Sequence, residues 1–274
     1  MELPMDVAAR NNLVFHGRGP ATYLFAHGFG CDQNMWRHVA HAFTDQGAVG
    51  LFDHVGAGLS DASAYSSEKY GTLHGYAADV IEICDSQNLR DVIFVGHSVS
   101  ATIGVLAAVA RPDLFAALVL VCPSPRYANT DTYVGGFDPA DIEELLDLMD
   151  KNHLDWSALM APVVIGEANG PELQDEWRNS VCRADPEIAK EFARVTFCSD
   201  HRAEYRQVRT PTLLIECSDD ALAPPAVGAF VQAAIPGSQR TILDASGHCP
   251  HMSAPGEVIA AIKDFMADRD ARAA

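Results

Sequence analysis

The sequence predicts an α/β fold with a mostly parallel, doubly wound sheet. Short runs of β-branched, aromatic and other apolar residues alternate with segments of helical periodicity, which is typical of this fold class. The best of these runs are continuously apolar, as expected for strands that helices cover on both faces. The six predicted strands are residues 22–26, 49–52, 92–95, 118–121, 212–215 and 241–243.

Helical patterns fill the intervals between these strands. The chain has 274 residues, of which 48% are hydrophobic, so it can bury a full core as one α/β unit. Because crossovers between parallel strands are right-handed, helices are expected on both faces of the sheet. The predicted helices of this framework are residues 73–87, 98–110, 225–234 and 255–267.

An all-helical insertion interrupts the alternation. Three of its helices are expected to begin at Pro139, Pro171 and Pro186, since proline is favoured in the first turn of a helix. A fourth helix is expected over 153–166, interrupted at Pro162. The apolar faces of these helices either pack on one another or cover a ligand pocket. The predicted division is a core domain of residues 1–125 and 203–274 with a helical lid of residues 126–202.

Charge and cysteine usage limit the classes of partner. The chain has 19 Lys and Arg against 37 Asp and Glu, a net charge of −18, which favours solubility and repels phosphate backbones and anionic membranes. Its seven cysteines are scattered and form no CxxC pair. Residues 1–12 lack the apolar core of a signal peptide, and the longest apolar run, 101–110, is too short to span a membrane. We therefore expect a cytoplasmic protein without a nucleic-acid or membrane partner.

A candidate nucleophile lies in the sequence "GHSVS", residues 96–100. A buried strand ends there and a helix begins, which is the setting of the G-x-S-x-G nucleophile elbow with Ser98 at its centre. The last position is Ser100 rather than glycine, but serine is small enough for the turn. The alternative interpretation is an ordinary strand-to-helix turn with a capping serine.

A nucleophilic serine requires a base and a group that orients the base. In this architecture the chain order is serine, then acid, then histidine. Asp220 follows the predicted strand 212–215, and His248 follows the predicted strand 241–243. Active groups gather at the carboxyl ends of parallel strands, so both residues suit these roles.

Three neighbouring residues compete for the same roles. Asp219 adjoins Asp220, and only one of the two can face the histidine. His251 could act in place of His248, although a glycine directly before His248 favours a tight, exposed turn. His97 adjoins the serine, but adjacent side chains diverge at a sharp turn, so we expect a structural role for it.

Two backbone N–H groups are candidate donors for an oxyanion hole. One belongs to Val99, directly after the serine. The other belongs to Phe29, in the glycine-rich loop "HGFG" that follows the first predicted strand. The sequence contains no HExxH motif, no clustered cysteine ligands and no phosphate-binding loop, so no metal or cofactor is expected.

Over nearly its whole length the chain resembles the α/β-hydrolase superfamily, and within it the RsbQ-like branch, which is related to the plant karrikin and strigolactone receptors. The resemblance depends on the segments "HGFGCDQNMW", "LFDHVGAGLSD", "IFVGHSVSA", "PSPRY", "GGF", "FCSDHR" and "GHCPHMS". The chain departs from the pattern at Ser100, where a glycine or another small residue is usual, and at His27, where bacterial relatives carry proline.

The resemblance implies an α/β-hydrolase fold, a four-helix lid and a deep apolar pocket. The implied catalytic residues are Ser98, Asp220 and His248, with Phe29 and Val99 as oxyanion donors. The implied pocket residues are Phe29, Phe137, Trp156 and Phe197. The sequence itself supports only large apolar residues at these four positions, and packing in the core would explain them equally well.

These features predict a serine hydrolase that acts on a small hydrophobic ester, lactone or enol ether. Hydrolysis of a carbon–carbon bond would use the same residues, whereas haloalkane dehalogenation requires an aspartate nucleophile. The resemblance also implies an alternative, a ligand sensor of the RsbQ-like stress-signalling type with slow or incidental hydrolysis. Its implied partner is a PAS-domain-containing phosphatase.

Overall fold

A seven-stranded sheet forms the centre of the protein in a computed structural model that describes residues 6–273. Its spatial order is β1-β3-β2-β4-β5-β6-β7, and all neighbouring pairs are parallel except β1 with β3. This topology confirms the predicted fold class. The strands are β1 Val14–His16, β2 Ala21–Ala26, β3 Gly47–Phe52, β4 Val92–His97, β5 Phe115–Val121, β6 Thr212–Asp219 and β7 Gln239–Ser246.

Thirteen α-helices connect and cover these strands in the part of the chain that the structure describes. They are α1 Val7–Arg10, α2 Arg37–Ala40, α3 Ser67–Tyr70, α4 Leu73–Ser86, α5 Val99–Ala110, α6 Pro139–Lys151, α7 His153–Ile165, α8 Pro171–Arg183, α9 Pro186–Cys198, α10 Arg202–Tyr205, α11 Pro225–Ala234, α12 Pro250–Ser253 and α13 Pro255–Ala273. Short 3₁₀ turns link several of them. Among residues 6–273, no helix is long and apolar enough to cross a membrane.

Among the seven strands, β1 is the one that the sequence patterns do not predict, and five short helices (α1, α2, α3, α10 and α12) are likewise unpredicted. Strand β1 is three residues long, and all three side chains are exposed. It pairs antiparallel with β3 at the sheet edge, so it carries none of the continuous apolar character of the inner strands. The six predicted strands are all present, and each extends beyond its predicted bounds.

Side chains of the inner strands supply two apolar cores, one on each face of the sheet. Along β4, Val92 and Phe94 pack into the core that includes residues of α4 and α5. Ile93 and Val95 pack into the opposite core, which includes residues of α13. None of these four side chains is more than 2% exposed. The alternation of side-chain direction along a strand therefore explains why β4 is apolar at every position.

The helices α6 to α9 lie between β5 and β6 and share a third apolar cluster with loops at the carboxyl edge of the sheet. The predicted interruption at Pro162 is wrong, because α7 continues through that residue to Ile165. Proline lacks an N–H donor and its ring crowds the carbonyl four residues earlier, but Pro162 lies in the last turn, where its own carbonyl still accepts a hydrogen bond from the Gly166 N–H.

Candidate active site

Ser98 lies on a strained turn between β4 and α5. Its φ of 56° and ψ of −120° place it in a region that non-glycine residues rarely adopt. The Ser98 N–H donates to the Val121 carbonyl over 2.8 Å, which holds the turn against β5. A Cβ on Gly96 would lie 2.5 Å from the Ser100 carbonyl oxygen, so the turn needs glycine there. The sequence patterns predict a helix over 98–110, whereas α5 begins one residue later at Val99, so Ser98 precedes the helix.

His248 and Asp220 form a continuous hydrogen-bonded chain with this serine. The distance from His248 Nε2 to Ser98 Oγ is 2.7 Å, and the distance from His248 Nδ1 to Asp220 Oδ2 is also 2.7 Å. All three side chains are buried. Because Asp220 accepts at Nδ1, that nitrogen carries the proton and Nε2 is free to accept from the serine hydroxyl.

The environment of Asp220 keeps its carboxyl group ionised. Burial alone would raise its pKa, but the nearby His248 and several hydrogen bonds hold the pKa below its ordinary value. Two of these bonds come from the backbone: Oδ1 accepts from the N–H groups of Leu222 and Ala223, over 2.9 and 3.0 Å. A carboxylate fixed in this way stabilises a positive charge on the histidine.

The competing residues lie elsewhere. Asp219 is exposed, and its Oδ2 accepts from the Ser246 hydroxyl over 2.9 Å. His97 donates from Nε2 to the His248 carbonyl over 2.7 Å, so it supports the loop of His248. His251 is buried beside Trp36, with 4.5 Å between the ring centroids, and burial lowers its pKa to about 3. Of the candidate acids and bases, the fold brings only Asp220 and His248 into the hydrogen-bonded chain with Ser98.

Two backbone N–H groups belong to residues close to the serine: Phe29 lines the same cavity as Ser98, and Val99 follows Ser98 in the chain. Within residues 6–273, neither the Phe29 N–H nor the Val99 N–H donates to another backbone group. Val99 is the first residue of α5, so its N–H also lies at the positive end of the helix dipole. Both donors are therefore available to a developing negative charge.

A small, mostly apolar cavity lies beside Ser98. Its volume is about 20 Å³, close to the space that one water molecule needs. Of the predicted pocket residues, Phe29, Trp156 and Phe197 line it. Phe137 lies outside this lining, and its ring centroid is 6.5 Å from that of Phe197. Helices α7 and α9 and the loops below them thus close the site in this conformation.

Sequence reasoning missed two polar residues in the cavity lining. The Tyr127 hydroxyl lies 3.1 Å from Ser98 Oγ, and burial raises the pKa of this phenol well above its ordinary value. The Thr196 hydroxyl is buried and has no hydrogen-bond partner within residues 6–273. The position of Tyr127 shortly after β5, at the carboxyl edge of the sheet, is a signal that could have identified it.

Among residues 6–273, two clusters have side chains of the types that bind metals. One contains His97, Cys249 and His251, and the other contains Cys122 with Asp220 and His248. Burial raises the pKa of the Cys122 and Cys249 thiols well above their usual range, whereas metal binding needs a thiolate. In addition, the Nε2 atom of His97 is engaged by a carbonyl. Both features disfavour a metal at these positions.

Comparisons with known proteins give consistent results. The sequence is 37% identical to the karrikin insensitive 2 receptor CA of Petunia hybrida over 254 residues, which cover 92% of this chain and 94% of that protein. It is 35% identical to strigolactone esterase D14 of Arabidopsis thaliana, with 90% of this chain and 92% of that protein covered. Among solved structures, a hydrolase from Oleispira antarctica has a TM-score of 0.94 at 42% identity, with 96% of each chain covered.

A family model described as the alpha/beta hydrolase family matches residues 23–262, which is most of the chain. The sheet order, the strained turn at Ser98 and the placement of polar residues at the carboxyl edge of the sheet agree with this match. The chain therefore belongs to the α/β hydrolase family.

Proposed function

We propose that this chain is a serine hydrolase that cleaves a small hydrophobic ester or lactone through acyl transfer to Ser98. The observation that carries the proposal is the unbroken hydrogen-bonded chain from Ser98 through His248 to Asp220, with both distances at 2.7 Å. The strained backbone at Ser98 and the two free N–H groups beside it add support.

The reaction follows from these positions. As Ser98 Oγ attacks the carbonyl carbon, His248 Nε2 takes the hydroxyl proton, and Asp220 stabilises the imidazolium that forms. The carbonyl oxygen becomes an oxyanion and accepts hydrogen bonds from the Phe29 and Val99 N–H groups. The carbon–oxygen bond to the leaving group then breaks, and His248 returns its proton to the departing alkoxide. Water attacks the acyl-serine by the same route, which releases the acid and restores the hydroxyl.

The lining of the cavity supports a hydrophobic substrate. Trp156, Met160, Val164 and Phe197 belong to the helices above the serine, and they present mainly apolar surface. A cavity of about 20 Å³ is far smaller than any ester or lactone, so these helices must separate from the core to admit one. This requirement supports residues 126–202 as a lid over the core of residues 1–125 and 203–274.

The experiment that tests this function compares wild type with Ser98→Ala on short p-nitrophenyl esters and butenolide lactones. We expect kcat to fall by about 10³-fold or more, because the nucleophile is lost while the oxyanion donors remain. Intact-mass spectrometry should detect an acyl adduct on wild type and none on the variant. Ser63→Ala is the matched control, since Ser63 is exposed and bonds only locally to Asp61. Undiminished hydrolysis by Ser98→Ala would exclude the proposed function.

A second candidate function is ligand sensing with slow turnover. The observation behind it is the similarity to a protein named as a karrikin insensitive 2 receptor. A sensor would hold its acyl adduct for many minutes, whereas an efficient esterase would release it at once, so the lifetime of the adduct in the mass spectrum separates the two. The PAS-domain-containing phosphatase remains a prediction, to be checked by affinity capture with and without a bound ligand.

A further inference from the structure

Three buried polar side chains lie behind the loop that contains Phe29. His27 follows β2, His54 follows β3, and Ser100 lies in the first turn of α5. All three have a relative exposure of 0%. They come from three separate segments of the chain, and His27 lies two residues before Phe29.

These side chains form one hydrogen-bonded chain. The Ser100 hydroxyl donates to the His27 carbonyl, and His54 Nε2 lies 2.7 Å from Ser100 Oγ. The His54 backbone N–H donates to His27 Nε2 over 3.1 Å. The remaining ring nitrogen of His27, Nδ1, lies 2.9 Å from the Gly28 carbonyl oxygen.

Counting protons fixes the direction of each bond. A carbonyl oxygen only accepts, so the single Ser100 proton goes to His27, and His54 Nε2 must donate to the serine oxygen. His27 Nε2 accepts from an amide, so Nδ1 carries the proton and donates to the Gly28 carbonyl. Burial lowers the pKa of His54 well below its ordinary value, so this ring stays neutral with its proton on Nε2.

The last bond in this chain is one of two that fix the direction of the Phe29 N–H, because the Gly28 carbonyl oxygen accepts from His27 Nδ1 over 2.9 Å and also from the Cys31 N–H over 3.2 Å. The Gly28 C=O and the Phe29 N–H belong to the same planar trans peptide unit and point in opposite directions. Holding the Gly28 oxygen toward His27 therefore turns the Phe29 N–H away from His27. We propose that Ser100 and His54 are positioning residues that, through His27, orient the Phe29 N–H of the oxyanion hole.

The inference explains why a serine occupies the position at which the elbow motif carries glycine. A glycine would fit the turn but would leave the His27 carbonyl and His54 Nε2 without their partner in a buried site. His54 has no other anchor for Nε2, because its ring lies among the rings of Phe52, Tyr76 and Phe192. The inference rests on the proposed function, because it assigns a role in the same reaction.

The test uses the full-length protein and an activated p-nitrophenyl ester. Ser100→Ala removes the hydroxyl and keeps the turn small, and His54→Phe removes the donor and keeps a ring among its aromatic neighbours. An oxyanion donor acts mainly in the transition state, so each variant should lower kcat by roughly 10- to 100-fold with little change in KM. His54→Gln retains a side-chain N–H donor and should recover most of the loss.

Two further measurements separate positioning from a purely structural role. The double variant Ser100→Ala/His54→Phe should be no slower than the slower single variant, because both substitutions break the same chain. Affinity for a boronic acid, whose hydroxyl occupies the oxyanion hole in its tetrahedral adduct, should fall in parallel with kcat/KM. Additive losses, or an unchanged boronic acid affinity, would overturn the inference.

Thr102→Val is the matched control on the same helix. The Thr102 hydroxyl is buried and donates to the Ser124 carbonyl over 3.0 Å, away from the loop of Phe29. We expect this variant to lose thermal stability and keep the wild-type kcat.

If His54→Phe does not fold, the kcat of Ser100→Ala by itself tests the inference. A wild-type kcat in Ser100→Ala overturns the inference while leaving the proposed function intact, whereas activity in Ser98→Ala removes the proposed function itself.

Discussion

At the scale of single residues, two adjacent aspartates at the end of β6 show how one position in the chain decides which side chain takes part in the site. Asp219 and Asp220 are adjacent and chemically the same, yet one is exposed and the other is buried against His248. Asp219 is the last residue of β6, and Asp220 begins the loop whose backbone N–H groups hold its carboxylate. A change of one position in the chain thus separates a solvated carboxylate from one that orients a base.

This difference predicts unequal effects for two matched substitutions. Asp220→Asn should reduce kcat by about 10⁴-fold, because an amide no longer favours the tautomer in which His248 Nε2 can accept a proton. Asp219→Asn should leave kcat within about two-fold of wild type, as expected for a surface substitution. Steady-state kinetics on an activated ester would measure both. If Asp219→Asn lowered kcat more than Asp220→Asn does, the orienting role would belong to Asp219 and not to Asp220.

At the scale of elements, the end of α7 is attached to the loop that carries His248. The His248 N–H donates to the Val164 carbonyl over 2.7 Å. Asn169 bridges the two segments through its side-chain amide, which donates to the carbonyls of Ile165 and Ser246. The helix above the cavity and the loop of the proposed base are therefore mechanically connected.

Gly247 is the point at which this connection is tightest. Its φ is +88°, and a Cβ there would lie 2.1 Å from the Ile165 carbonyl oxygen. Gly247→Ala should therefore lower the unfolding free energy by about 1–3 kcal/mol and reduce kcat, because α7 or the loop of His248 has to shift. Denaturant unfolding and ester kinetics would measure the two effects.

Gly237→Ala is the control for this substitution. Gly237 has a similar φ of +83°, but no atom lies within 4 Å of its Cβ position. The unfolding free energy of Gly237→Ala should fall only by the cost of placing alanine at a positive φ, on the order of 1 kcal/mol, and kcat should equal that of wild type. Equal stability losses in the two variants would mean that the contact with Ile165 carries no energy.

At the scale of the whole molecule, two kinds of titrating group have opposite effects on stability as the pH falls. Surface carboxylates become less repulsive, whereas buried neutral histidines lose their contribution to stability. Protonation of surface carboxylates relieves repulsion in a chain with a net charge of −18. Burial lowers the pKa of His54, His97 and His251 in the folded state. Below about pH 6.5 the unfolded chain binds protons at these residues that the folded chain does not, so their contribution to stability is lost as the pH falls.

His251 makes this effect measurable. Its folded pKa is about 3, so its contribution is complete above about pH 6.5 and decreases by about 1.4 kcal/mol per pH unit below it. Between pH 7 and pH 5, the unfolding free energy of His251→Phe should therefore fall by about 2 kcal/mol less than that of wild type. His38→Gln, at an exposed histidine, is the control and should follow the wild-type curve. Parallel curves for His251→Phe and wild type would contradict the prediction.

Several features of this protein can be predicted from local sequence. Continuous apolar runs identify the inner strands, because both faces of a covered sheet exclude water. The small residues around Ser98 identify the sharp turn, and the order of Ser98, Asp220 and His248 follows from loops that all leave the carboxyl ends of parallel strands. These inferences need only periodicity, turn chemistry and chain order.

Only the tertiary structure decided the contacts between distant segments. The choice of Asp220 over Asp219, the approach of the Tyr127 hydroxyl to Ser98, and the pairing of β1 at the sheet edge each depend on elements far apart in the chain. His54 and Ser100 are separated by 46 residues, and neither has a local pattern that indicates a hydrogen bond between them. A sequence pattern reports what each segment does alone, whereas the direction of a buried polar group is set by whichever partner the packing brings within about 3 Å.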